Sequence, residues 1–218
     1  MSGPMATATP ATTGRGRIDK RQAILEVAFE VFARRGYDQA CVQEIADQAG
    51  VAKPTVYNHL TDKPTLLREA MRAAADSVAA QCSAALQPLR ESGSDPGAAL
   101  NEAAYRLVTV CAGARATALH RLTYAQLVTF PDLAAEILER VPQQLAAAVS
   151  DRLARYMLDG RLRYADPERA AEQLLALLTG PLERHSRLGT RAVPDATLRD
   201  IADAAVETFL RAYAPEAG

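Results

Sequence analysis

The sequence predicts an all-α fold. Its 218 residues are rich in Ala, Leu and Arg, with Glu spread along the chain, and all four are compatible with long helices. Apolar residues recur at the three- and four-residue spacing of a helix with one buried face, and no alternating runs of the kind that mark a half-buried strand stand out. Hydrophobic residues make up 49% of the chain, enough for a sizeable core in one large domain or two small ones.

In chain order, residues 1–17 are expected to be a disordered tail. Met1 to Gly14 is rich in Ala, Thr, Gly and Pro, and lacks the basic start and apolar stretch of a secretion signal. Arg15, Arg17, Lys20 and Arg21 stand against one Asp19, as an arm that touches phosphates or as a solvated flank. A first helix is expected from Ile18 to Arg35, with Ile24, Leu25, Ala28, Phe29, Val31 and Phe32 as its buried stripe. Val42 to Ala49 reads as a short helix with Val42, Ile45, Ala46 and Ala49 on one face. Gly50 can take positive φ at no steric cost, as a sharp turn requires. Lys53 to Leu60 reads as a second short helix, with Pro54 in its first turn and Val56 and Leu60 inward. Two short helices joined by such a turn are a helix-turn-helix, so residues 18–62 form a three-helix DNA-binding unit whose last helix would lie in a major groove.

The polar residues support that use. Lys53, Thr55, Tyr57, Asn58 and His59 crowd one very short helix, and Lys63 follows. Such side chains hold phosphates and reach base edges. The spacing alone leaves open a solvated helical hairpin with no DNA partner.

The stretch Gly36 to Leu67, GYDQACVQEIADQAGVAKPTVYNHLTDKPTLL, resembles the amino-terminal signature of the TetR family of bacterial transcription regulators. The match runs without a gap through Gly36, Tyr37, Ile45, Ala46, Gly50, Val51, Pro54, Tyr57, His59 and Lys63. Ala40 and Cys41 depart from it, because the family carries hydroxyl residues there that cap the following helix and touch a phosphate. Ala52 replaces a common Ser. The resemblance implies a repressor that binds a palindromic operator as a dimer and is released by a small molecule. Gln43, Lys53, Pro54 and Thr55 would then face bases, and Tyr57, Asn58, His59 and Lys63 would hold phosphates.

Thr61 or Asp62 can cap the next helix, which is expected to run to about Leu89 and so to carry movement out of the DNA-binding unit. Glu91 to Gly97 reads as a break, with Asp95 as a cap. From Ala98 the resemblance is one of outline only, to a larger helical ligand-binding and dimerisation domain over residues 63–214. Helices are expected near 98–114, 117–129, 132–158, 167–187 and 195–213. Asp166 and Pro167 start one of them, and Gly180-Pro181 predicts a kink or an early end.

A pocket for a small hydrophobic effector is expected among the middle helices, from Tyr105, Cys111, His120, Tyr124, Phe130 and Tyr156, with Met157 and Tyr164 beside them. Leu174, Leu175, Leu177 and Leu178, and then Leu198, Ile201, Ala202, Ala205, Val206 and Phe209, read as a homodimer surface through 167–187 and 195–213 in preference to ordinary core. A two-fold dimer would read two half-sites about one helical turn apart, ~34 Å, or a multiple of that.

Net charge is −1, so any DNA binding is local and geometric. Three widely spaced cysteines, Cys41, Cys82 and Cys111, fit a reducing cytoplasm, without a disulfide framework or zinc site. No metal, cofactor or membrane span is expected. Cys111 with His120 has no orienting third group and no oxyanion loop, so catalysis is set aside. Two rivals remain: an effector-independent DNA-binding regulator, and a ligand-binding dimer with weakened DNA binding.

Overall fold

The computed structural model describes residues 13–90 and 95–215, and every regular element among them is helical. The expected tail up to residue 12 and most of the expected break, 91–94, lie outside the described residues. The chain divides into two compact units, 1–70 and 71–218.

The first unit contains α1 (Thr13–Gln39), α2 (Val42–Gln48), α3 (Lys53–His59) and the start of α4 (Lys63–Ala85). Helix α1 begins five residues before the expected Ile18. Gly14 and Gly16 weaken a helix by about 1 kcal/mol each without ending it. Its regular path stops at Gly36, where φ is 76° and ψ 167°, and a single turn follows, closed by Ala40 N–H donating to the Gly36 carbonyl at 3.2 Å.

All six stripe residues of α1 are buried, as are Val42, Ile45, Ala46, Val56 and Leu60. Ala46 is fully covered, and its carbonyl accepts from Val51 N–H at 3.0 Å, which closes the turn. Gly50 sits at φ 66°, the conformation expected of it. Ala49 and Val51 are only half-buried. Glu44 of α2 accepts from Arg34 at 2.8 Å and lies 3.6 Å from Arg35, pinning α2 to α1. The Arg34 hydrogen bond holds the Glu44 carboxyl below its ordinary value of 4.5.

The second unit takes up the rest of α4, a 3₁₀ turn (Gln87–Arg90), α5 (Pro96–Ala112), α6 (Ala114–Ala125), α7 (Pro131–Leu158), α8 (Pro167–Ser186) and α9 (Asp195–Tyr213). Helix α4 therefore ends at Ala85, and the 3₁₀ turn carries the chain past the expected end at Leu89. Caps set several starts. Asp62 accepts from Thr65 N–H at 2.7 Å, Asp95 from Ala98 N–H at 2.8 Å, and Asp166 from Glu168 N–H at 3.0 Å and Arg169 N–H at 3.3 Å.

Helix α8 passes through Gly180-Pro181 without ending, so the expected early stop is not found. It ends instead in two left-handed non-glycine residues, Arg187 (φ 49°) and Leu188 (φ 56°), followed by Gly189 (φ 78°). Helices α5 and α9 pack together, as do α7 and α8. Arg72 of α4 grips Glu136 of α7 through two bonds of 2.8 and 2.7 Å, and Arg140 reaches Asp76 at 2.8 Å.

The face expected to join two copies is corrected here. Leu198, Ile201, Ala202, Ala205, Val206 and Phe209 are all buried within the single chain, and so are Leu174 and Leu178. Only Leu175 and Leu177 stay partly exposed. Helical spacing identifies an apolar face but not what covers it, and here α5 and α8 cover α9.

Candidate DNA-reading helix and effector cavity

Helix α3 hangs on one buried residue, Val56, with Leu60 behind it. Lys53, Pro54, Tyr57 and Asn58 are exposed, whereas Thr55 and His59 are half-buried. Tyr57 leaves 40% of its surface in solvent. Ala52 precedes α3 without a side-chain cap, so the first N–H groups of the helix lack a side-chain partner from the N-cap residue.

Gln43 is exposed on α2 and donates to Asp47 at 2.8 Å. Lys63 is engaged within its own unit: its ammonium donates to the Asp38 carbonyl at 3.2 Å and lies 4.7 Å from the centre of the Tyr37 ring. Burial first, then Asp38 and Asp62, raises the Tyr37 hydroxyl above its ordinary value. At the start of α2, Cys41 stands where a hydroxyl cap was missed, and no side-chain hydrogen bond caps the helix. The backbone N–H groups of Gln43 and Glu44 nevertheless lower its exposed thiol below the ordinary value.

The basic run preceding these helices is partly engaged. Arg21 pairs with Glu69 at 2.7 Å and so fastens α1 to α4. The run by itself showed the charge but not this partner, which lies 48 residues away.

In the second unit a cavity of about 410 Å³ is lined by residues of α4 to α8. Of the six residues expected around a pocket, Cys111, His120 and Tyr124 line it. The other three do not. The Tyr105 hydroxyl donates to Asp195 of α9, with Arg199 stacked 3.9 Å from its ring. Phe130 is the N-cap of α7, and Tyr156 is buried with Arg161 4.1 Å from its ring centre. Met157 is buried away from the cavity and Tyr164 lies 85% in solvent.

His120 and Tyr124, one turn apart on α6, meet edge to face at 4.5 Å. Burial lowers the His120 imidazole below its ordinary value, and the Glu183 carboxylate opposes that shift. Sequence reasoning missed Cys82, Thr117, Thr123, Thr179 and Glu183, because helical period shows which residues share a face and not which helices meet. Cys82 and Cys111 come from different helices and share a thiol hydrogen bond. Among the described residues no helix is long and apolar enough to cross a membrane.

Two family patterns match. Residues 24–70 match that of bacterial regulatory proteins of the tetR family, and residues 98–215 that of the C-terminal domain of AefR-like transcriptional repressors. Among solved structures the chain is similar to one described as a TetR-family transcriptional regulator from Mesorhizobium loti. That match has 29% identity and a TM-score of 0.83, over 94% of this chain and 100% of that one.

Curated relatives match over shorter stretches. The HTH-type transcriptional activator FasR of Mycolicibacterium smegmatis is 49% identical over 47 residues, 22% of each chain. The HTH-type transcriptional repressor KstR2 of Rhodococcus jostii is 32% identical over 72 residues, 33% of this chain and 35% of that one. The chain thus spans about a fifth to a third of the length of these curated relatives.

Proposed function

The chain belongs to the TetR family of bacterial regulators, and from that membership and its own geometry we propose a ligand-responsive repressor that binds a palindromic operator as a homodimer. The observation that carries this reading is the exposed face of α3. Lys53, Pro54, Tyr57 and Asn58 stand in solvent on a helix anchored by one buried valine. Gln43, Lys53, Pro54 and Thr55 face base edges or a thymine methyl, and Tyr57, Asn58, His59 and Lys63 hold phosphates. Lys63 does so with the donors left free by Asp38.

The dimer forms through the outer faces of α8 and α9, not through their buried leucines. Ala176, Gly180, Ala204 and Thr208 lie on those faces, and a Cβ added at Gly180 would meet nothing within 4 Å. Small residues there let helices of two copies approach closely. Effector binding in the cavity favours a dimer whose recognition helices have the wrong spacing, with a coupling of about 1–3 kcal/mol per site. Helix α4 connects the two ends of that device, since it carries Lys63 in its first turn and Val78 and Cys82 in the cavity wall.

The test is selection of sites from a random DNA pool at two salt concentrations, with wild type, Lys53→Ala and Tyr57→Phe. An enriched palindrome whose binding weakens as salt rises is expected. Lys53→Ala shifts the preferred base at one position of each half-site, whereas Tyr57→Phe weakens all sites alike. An unchanged base preference in Lys53→Ala removes that residue from base reading.

A further inference from the structure

The polar lining of the cavity has a sign. Its Thr and Ser hydroxyls already donate their protons to their own helices: Thr117 to Gly113 at 3.0 Å, Thr123 to Leu119 at 2.8 Å, Thr179 to Leu175 at 2.9 Å and Ser186 to Glu183 at 3.3 Å, all at backbone carbonyls. Each therefore offers a ligand only acceptor lone pairs and carbon. The Cys82 and Cys111 thiols share a hydrogen bond that uses one of their two weak S–H donors. Among the described residues no Lys or Arg lines the cavity, and the one charged lining group is Glu183, which is exposed in solvent. No Lys or Arg forms a salt bridge with that carboxylate among the described residues. The Tyr124 ring, 43% exposed, lines the same cavity, and burial disfavours the protonated form of His120.

We propose that this cavity selects a lipophilic organic cation: an apolar body in the chamber between α4 and α8, with an ammonium group in contact with Glu183 and the Tyr124 ring. This rests on the reading of the cavity as the effector site. The chemistry follows from what is present and what is missing. An ammonium group brings donors to the acceptors that the Thr and Ser hydroxyls and Glu183 offer, stays partly in water, and gains both an ion pair and an aromatic face. A carboxylate of the same shape would bring more acceptors to them, beside a like charge and with no cation to pair with. The chamber, at about 410 Å³, has room for a body of one or two rings or a medium alkyl chain.

Three probes that share one body test this: 4-phenylbutylamine, 4-phenylbutanol and 4-phenylbutyrate, titrated calorimetrically into the full-length protein. The amine is expected to bind about tenfold more tightly than the alcohol, and the carboxylate more weakly than both. Glu183→Gln should remove most of the amine's advantage over the alcohol and leave only what the Tyr124 ring supplies. A carboxylate that binds as well as the amine overturns the proposal, as does an amine advantage that Glu183→Gln leaves undiminished.

Ala116→Trp, which fills the chamber, separates this from the cavity reading. If the alcohol binds wild type and not the filled variant, without any preference for the amine, the cavity is a ligand site and the charge selection is wrong. If none of the three binds wild type at millimolar concentration, both readings fall. Thr179→Leu is a second filling variant, and circular dichroism of both checks that the helices are retained.

Discussion

The two units use their apolar residues differently. In the first, the stripe of α1 closes on Val42, Ile45, Val56 and Leu60, and the polar residues of α3 are left outside. In the second, long helices cover one another along α5 to α9 yet leave a chamber among α4, α5, α6, α7 and α8. Short helices with one buried face each admit few arrangements, so local pattern suffices there. Long helices with broad apolar faces can pack in many ways, and the space left between them is a property of the chosen arrangement.

That contrast can be broken or sharpened by substitution. The largest effect is expected for Phe32→Ala in the first unit. Phe32 is fully buried, and its loss should cost about 3–5 kcal/mol by chemical denaturation and abolish DNA binding. The matching change beside the chamber, Thr179→Leu, should stay within about 1 kcal/mol of wild type, because the added carbons enter existing space. Comparable losses at both places would mean that the two cores are equally tight.

Gly50→Ala comes next. Its φ of 66° is unfavourable for alanine, and the new Cβ would meet nothing within 4 Å, so the cost is one of backbone only, about 1–2 kcal/mol in a thermal melt.

Glu44→Gln tests the tie between α1 and α2 through pH. The folded-state carboxyl titrates below its ordinary value, chiefly because Arg34 donates to it. Its contribution is therefore complete above pH 4.5 and is lost as pH falls through the lower folded value. The melting temperatures of wild type and variant should differ at neutral pH and converge in acid. A constant gap across that range would show that charge plays no part.

The smallest effect is a gain. Leu188 holds φ 56° while 53% exposed, so Leu188→Gly relieves the backbone at little loss of buried surface. The expected stabilisation is about 1 kcal/mol. A loss instead would show that the Leu188 side chain packs against something that offsets its strained backbone.

Residues in sequence proximity decided much on their own. Asp95 and Asp166 cap the helices that follow them and Gly50 turns the chain between α2 and α3, because each depends on neighbours within one or two turns, and the stripe of α1 follows from its own helical period. The exposed face of α3 was legible for the same reason. Tertiary structure alone decided which faces meet. It placed the apolar set of α9 inside the chain, joined Arg21 to Glu69 and Tyr105 to Asp195, and brought Glu183 of α8 beside His120 of α6. Periodicity orients a side chain about its own helix axis. It carries no information about which other helix arrives there, and the cavity with its chemistry is made entirely of such arrivals.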